Sequence, residues 1–283
     1  MSLTLFRILA LIALPLLAAC APQPPVAVAP EVVPGYEAVE DGGFLIPAVH
    51  PKQFIGSPPR AEVAYNGGEN PGTIVVDPFA RKLYLVMENG RAMRYSIAVG
   101  RVGLGFRGSA VISRKEKWPS WTPTANMIRT MPEFYAEYAG GLPGGLENPL
   151  GSRALYLYRG GRDTYFRIHG TIDNASIGRA TSAGCIRLFN QDIIDLFERV
   201  PNGTVVKART QEESERLEGK FMEDEWGLLI PYDASRIEEI AAKRAINEQK
   251  LQEQIAREAA AASAQINAQG AGTLPIGALP PQG

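Results

Sequence analysis

The chain has 283 residues, with 29 Lys and Arg against 30 Asp and Glu and a formal charge of −1, a length that allows one or two globular domains. The balanced charge leaves no basic stripe for nucleic acid. No GxxxxGK[ST] phosphate loop occurs, the run Gly100-Arg-Val-Gly-Leu-Gly105 does not match the dinucleotide fingerprint, and two His and two Cys far apart make no zinc ligand set, so no metal or other cofactor is expected.

Residues 1–19 read as an export leader. Arg7 precedes an apolar stretch from Ile8 to Leu17 that suits a signal-peptide core and is too short to span a bilayer. Ala18 and Ala19 then lead into Cys20, a context that resembles the lipobox of bacterial lipoproteins, whose cysteine is acylated and becomes the first residue. The plainer alternative is a secretory leader cleaved nearby, with Cys20 incidental. Several acyl chains, at ~0.8 kcal/mol per buried methylene, anchor stably where one does not. On either reading the protein is exported, and processing of Cys20 leaves Cys185 without a disulfide partner, which makes it a candidate reactive thiol.

Residues 20–70 follow as the lipidated cysteine, a linker and a strap. Prolines at 22, 24, 25, 30 and 34 make Ala21 to Pro34 an extended spacer, and residues 35–70 have few periodic apolar positions. A globular domain is expected over 71–209. Thr73 to Asp77, Lys82 to Met87 and Ala92 to Val99 read as a three-strand meander, with Asn89-Gly90 turning the second hairpin. The tryptophans of Trp118-Pro-Ser-Trp-Thr-Pro123 either line a substrate groove or anchor their own loop. A short helix is expected at Ala125 to Met131, and the Gly-rich stretch Gly140 to Gly151 is long and irregular, as functional lids or disordered segments are. Ala154 to Tyr158 and Tyr165 to His169 pair across Gly160-Gly161. Asn190 is placed to cap a helix carrying Ile193, Leu196, Phe197 and Val200, which Pro201-Asn-Gly stops, and Val205 to Ala208 closes the domain. Residues 210–268 form a charged helical extension, opened by a Ser235/Glu238 capping box and bearing a thin apolar stripe. Residues 269–283, rich in Gly and Pro, are expected to be disordered. The fold class is therefore mainly β (α+β), with a few helices and a C-terminal helical tail.

The chemistry converges on two side chains. Alternation along Tyr165 to His169 puts Phe166 and Ile168 on one face and Arg167 and His169 on the other. Cys185 lies sixteen positions after His169 and directly follows Gly184, which permits a tight turn with exposed amides. A thiol attacks only as thiolate, and basic neighbours such as His169 and Arg187 promote that form. Taken alone, Cys185 reads as a buried inert thiol, and a single histidine as structural, although His169 is one of only two and the other, His50, lies in the linker region.

Together, His169-Gly170-Thr171, Ser176-Ile-Gly178, Ser182-Ala-Gly-Cys-Ile-Arg187 and Asn190-Gln-Asp192 resemble the active-site signature of the L,D-transpeptidase (YkuD-type) catalytic domain. The resemblance extends back through Pro71-Gly-Thr73, Gly140 to Gly151 and Ala154 to Tyr158, about half of the chain. It implies a β-sandwich-like domain acting on peptidoglycan stem peptides, in cell-wall biogenesis and cell shape. Cys185 would attack the third residue of a tetrapeptide donor, expel D-alanine and form a thioester that an amine acceptor resolves, either a second stem peptide (a 3→3 crosslink) or an envelope protein. His169 would be the base, the Gly170 carbonyl its orienter, and Gly184 and Cys185 amides the oxyanion donors, with Ser182 in the same loop. Arg187 would pair with a substrate carboxylate or brace the loop, and Arg167 adds a second cation for substrate binding. Many similar sequences have His where this chain has Ala183, which leaves His169 as the sole plausible general base. Water as acceptor would give an L,D-carboxypeptidase, and a wall-tethering lipoprotein without catalysis is the remaining class. The expected location is the periplasm, with Cys20 anchored in a membrane, the outer one favoured.

Overall fold

The computed structural model describes residues 32–101, 105–182 and 184–270. The leader, Cys20, the first part of the spacer, Ala183 and the tail beyond residue 270 lie outside the described residues.

In chain order the strands and helices are β1 (Val39–Asp41), β2 (Phe44–Ile46), β3 (Ala61–Ala64), β4 (Ile74–Asp77), β5 (Lys82–Met87), β6 (Arg91–Ser96), β7 (Val99–Gly100) and β8 (Ser109–Lys117). There follow α1 (Ala125–Thr130), α2 (Pro132–Tyr135), β9 (Arg153–Arg159), β10 (Arg162–His169), β11 (Ala180–Ser182) and β12 (Ile186–Arg187). The chain continues through α3 (Asn190–Arg199), β13 (Val205–Ala208), α4 (Gln211–Glu218), β14 (Phe221–Glu223), β15 (Leu229–Pro231) and α5 (Ile237–Gly270).

Nine strands form one sheet in the order β12-β10-β9-β8-β13-β4-β5-β6-β3. The meander β4-β5-β6 is present, and Asn89 and Gly90 turn it with φ of 59° and 65°, the paired left-handed residues that a tight hairpin needs. The sheet curls back on itself. Ala98, two residues beyond β6 near one end of the strand order, forms a bridge with Arg187 of β12 at the other end, and β7 then pairs with β11. The curl encloses one apolar core of Ile74, Leu83, Ile97, Ile112, Leu155, Leu157 and Ile168, completed by Ile193, Leu196 and Phe197 of α3.

Helix α3 sits where its apolar periodicity put it, but its cap differs. The helix begins at Asn190 itself, so the N-cap position is Phe189, whose ring can make no cap hydrogen bond, and the Asn190 amide is used elsewhere. Thr124 caps α1 by accepting from the Met127 amide at 3.2 Å. The long helix α5 is preceded by a short 3-10 turn in which Asp233, not Ser235, accepts the amide, from Ser235 at 2.9 Å. The capping box nearest the domain is Thr210 with Glu213, opening α4.

The segment before residue 71 contributes more than a strap. β3 is the edge of the large sheet, antiparallel to β6. Tyr36 is fully buried and meets Phe54 and Phe189 edge-on, with centroids 4.7 and 5.8 Å apart. Arg60 donates to Asp192 Oδ1 at 2.9 Å, Gln191 Nε2 donates to the Glu37 and Pro47 carbonyls, and Asp41 takes both guanidinium nitrogens of Arg153 at 2.7 Å.

Candidate active site

β10 and β12 run parallel, with Ile168 opposite Ile186 and His169 opposite Arg187. Ile168 and Ile186 face the core at 0% and 2% exposure. A slip of one residue would turn both to the other face, at roughly 1.5–3 kcal/mol for each isoleucine exposed. The same alternation aligns Arg167, His169, Cys185 and Arg187 on the opposite face, with Cys185 one step before the paired residues and so beside Arg167. The core thus fixes the register that puts the two expected reactive side chains on one face, on adjacent strands.

His169 is buried, and its Nδ1 lies 2.6 Å from the Gly170 carbonyl. A carbonyl only accepts, so Nδ1 carries the proton and Nε2 keeps the lone pair. Burial pushes the His169 pKa down to about 3, reinforced by the positive charge of Arg187 and opposed by the carbonyls of Gly170 and Leu150. The imidazole is therefore neutral at pH 7. Burial likewise pushes the Cys185 thiol up, against the lowering effect of the Arg167 amide and of the Arg167 and Arg187 charges. Cys185 is half-buried, and its Sγ donates to the Tyr165 carbonyl at a long 3.9 Å. At rest Cys185 is thus a thiol and His169 a neutral imidazole rather than an ion pair.

The loop that carries Cys185 is held by the Ser182 hydroxyl, which is buried, donates to the Cys185 carbonyl at 2.7 Å and accepts the Gly184 amide at 3.1 Å. Gly184 has φ 138°, a conformation that side chains avoid. Among the described residues the Cys185 amide has no hydrogen-bond partner, so of the two expected oxyanion donors it is the one left open. Gly100 packs beneath this loop. A Cβ there would stand 2.7 Å from Gly184 Cα and 3.1 Å from the Gly105 backbone.

The two arginines differ. Arg167 is engaged: it forms a bidentate pair with Asp163 at 2.7 and 2.8 Å and lies over the Tyr156 ring at 4.4 Å. The Arg187 side chain makes no hydrogen bond or ion pair among the described residues, while its backbone pairs with Ala98. Neither tryptophan is unengaged. Trp118 Nε1 donates to Asp41 at 2.8 Å, and Trp121 packs on Tyr135 and Tyr138 at 6.2 Å, so each helps anchor its own loop.

Sequence reasoning gave the side chain of Asn190 no part in supporting the histidine. The buried Asn190 accepts the Ser152 amide and donates to the Thr171 carbonyl, both at 2.9 Å. It clamps the segment that follows His169 against the start of β9, and a Cβ on Gly170 would stand 2.2 Å from its Oδ1. The signals for this were Asn190 read as a cap and its place in the run Asn190-Gln-Asp192 of the signature. Among the described residues, no group of three His, Cys, Asp or Glu side chains could hold a metal ion.

Comparison with known proteins agrees with this geometry. The family model of the L,D-transpeptidase catalytic domain (YkuD) matches residues 71–207. A Fuscovulum blasticum protein named for an L,D-transpeptidase in the ATP synthase subunits region is 38% identical over 137 residues, covering 47% of this chain and 67% of that protein. The probable L,D-transpeptidase ErfK/SrfK of Escherichia coli K12 is 36% identical over 137 residues, and the match spans less than half of that relative, 43%, and 47% of this chain. A solved structure from Brucella melitensis, described as a probable carnitine operon oxidoreductase, is 50% identical over 51% of this chain and 89% of its own, with a TM-score of 0.38. The chain belongs to the L,D-transpeptidase (YkuD) catalytic-domain family.

Proposed function

We propose that the protein is a peptidoglycan L,D-transpeptidase with Cys185 as nucleophile and His169 as base. The observation that carries this is the placement of Cys185 on the same strand face as an imidazole whose Nδ1 is tied to the Gly170 carbonyl. Nε2 takes the thiol proton as sulfur attacks the carbonyl of the third stem residue. The carbon–nitrogen bond to the terminal D-alanine breaks, the proton leaves with its amine, and a thioester remains. An acceptor amine then attacks, gives its proton to Nε2 and releases the sulfur. The open Cys185 amide is positioned to stabilise the oxyanion, a contribution of roughly 10²–10³-fold for one donor. Arg187, without a partner among the described residues, suits a substrate carboxylate.

The acceptor is a second stem peptide or an amine of an envelope protein. The export leader and Cys20 favour a periplasmic enzyme anchored by acyl chains in a membrane, the outer one by preference, with the Pro-rich spacer Ala21 to Pro34 lifting the domain off it. Purified protein incubated with tetrapeptide muropeptides and analysed by mass decides the reaction. Dimers support crosslinking, tripeptides alone support the carboxypeptidase, and full activity in Cys185→Ala contradicts the cysteine mechanism. A mature N-terminus other than an acylated Cys20 contradicts the anchor.

A further inference from the structure

β10 does not run straight to His169. Asp163 pairs with Tyr158 of β9 and Arg167 with Tyr156, so four steps along β10 are matched by two along β9. The surplus forms a bulge, and at its apex Tyr165 has φ 61°. A bulky residue adopts that conformation only where its surroundings impose it. Asp163 Oδ1 accepts the Tyr165 amide at 2.8 Å, and the same carboxylate grips Arg167 on the far side of the bulge. Thr164 adds a second brace, donating to the Leu157 carbonyl at 2.6 Å and accepting the Phe166 amide at 3.2 Å. The outcome of this strained turn is that the Tyr165 carbonyl becomes the partner of the Cys185 sulfur, as bulges next to active sites re-aim single groups.

We propose that Asp163 is a positioning residue for the nucleophile: by holding Tyr165 in the left-handed conformation it keeps the Tyr165 carbonyl on the Cys185 sulfur. The inference rests on the reading of Cys185 as nucleophile. The carbonyl holds the resting sulfur as a thiol in one orientation until His169 takes the proton. Without Asp163, Tyr165 relaxes to negative φ, its carbonyl turns away and the sulfur loses its acceptor. Glycine at 165 would keep the bulge without the cap, because positive φ costs it nothing and Thr164 still braces the turn.

The test is a cycle of Asp163→Ala, Tyr165→Gly and the double variant in the full chain. It reads iodoacetamide alkylation of Cys185 by peptide mass, so that Cys20 is counted separately, together with kcat and KM on tetrapeptide donors. Both Asp163 variants lack the carboxylate charge, so the comparison between them isolates the backbone, and Tyr165→Gly alone reports any contribution of the ring. Asp163→Ala is expected to alkylate about threefold faster at pH 7 than the double variant, the ratio given by half a pKa unit in a mostly protonated thiol. Its kcat is expected to be about tenfold lower, as misplaced reacting groups cost rate, and glycine restores both. Where Asp163→Ala fails to fold, Asp163→Ser, with a weaker acceptor for the Tyr165 amide, takes its place. The proposal is overturned if the folded Asp163 variant matches the wild type, or if glycine brings neither rate closer to it. Absence of turnover in every form would count against the transpeptidase reading, while alkylation, which needs no peptide, still decides the role of Asp163.

Discussion

Replacing Asn190 with alanine removes two buried hydrogen bonds at once. The Ser152 amide and the Thr171 carbonyl, each now paired at 2.9 Å, would be left without partners under a nearly closed surface. An orphaned buried group costs about 1–3 kcal/mol. At about 1.5 kcal/mol for each, the variant should lose about 3 kcal/mol, which for a domain of this size lowers Tm by about 6–12 °C. The damage is local to the histidine, because Asn190 packs on Gly170, whose carbonyl fixes the imidazole tautomer. Urea denaturation at pH 7 gives the stability difference, and kcat on a tetrapeptide donor gives the effect on His169. An Asn190→Ala protein within about 0.5 kcal/mol of wild type, at the level of an ordinary surface change, would refute the reasoning.

Four further outcomes follow from the same geometry. Because burial holds His169 neutral down to about pH 3 and raises the Cys185 thiol, alkylation of Cys185 should stay slow through neutrality and rise only above the ordinary thiol value of about 8.5; a step between pH 4 and 6 would mean a preformed ion pair. The same depressed histidine pKa makes the unfolded state bind more protons as the pH falls from about 6.5 to about 3, so the wild type should lose more stability across that window than His169→Gln, and equal slopes by urea titration would contradict it. Gly100→Ala drives a methyl into the Gly184 backbone at 2.7 Å and should cut Cys185-dependent turnover by at least about tenfold through misplacement of the nucleophile, whereas wild-type turnover would show that the loop is not set by this contact. Asp41→Ala strips the carboxylate from Arg153, whose side chain is 2% exposed, and should cost about 3–5 kcal/mol, measured by urea denaturation, with a loss below about 1 kcal/mol counting against the strap as part of the fold.

Much of this fold was legible because local signals and tertiary structure agreed. Asn89-Gly90 specified its own turn, and Ile193, Leu196 and Phe197 buried the face that their spacing marked. The strand alternation that separated Ile168 from His169 carried over to the pairing with Ile186 and Arg187, so the site could be assembled from two short motifs. What escaped was non-local or non-periodic. β3 is only four residues long, and nothing in Ala61–Ala64 announces a partner in β6. The ion pair of Asp41 with Arg153 joins residues 112 apart, and no spacing rule reaches that far. Asn190 was read as a cap because Asn favours that position, yet its side chain does better satisfying Ser152 and Thr171 than the first turn of α3. The bulge at Tyr165 was hidden for a related reason. Tyrosine is a strand former, and its left-handed conformation is imposed by Asp163 and Thr164 rather than by its own preference.

Capture of the acyl-enzyme tests the central claim most directly. The full chain is mixed with a tetrapeptide donor, quenched in acid within the first turnovers, and digested for mass analysis. A cysteine mechanism predicts that the peptide containing Cys185 gains the mass of the donor less D-alanine, and that Cys185→Ala gains nothing while remaining folded. Turnover at the wild-type rate with no adduct on Cys185, or an adduct that persists in Cys185→Ala, would contradict it.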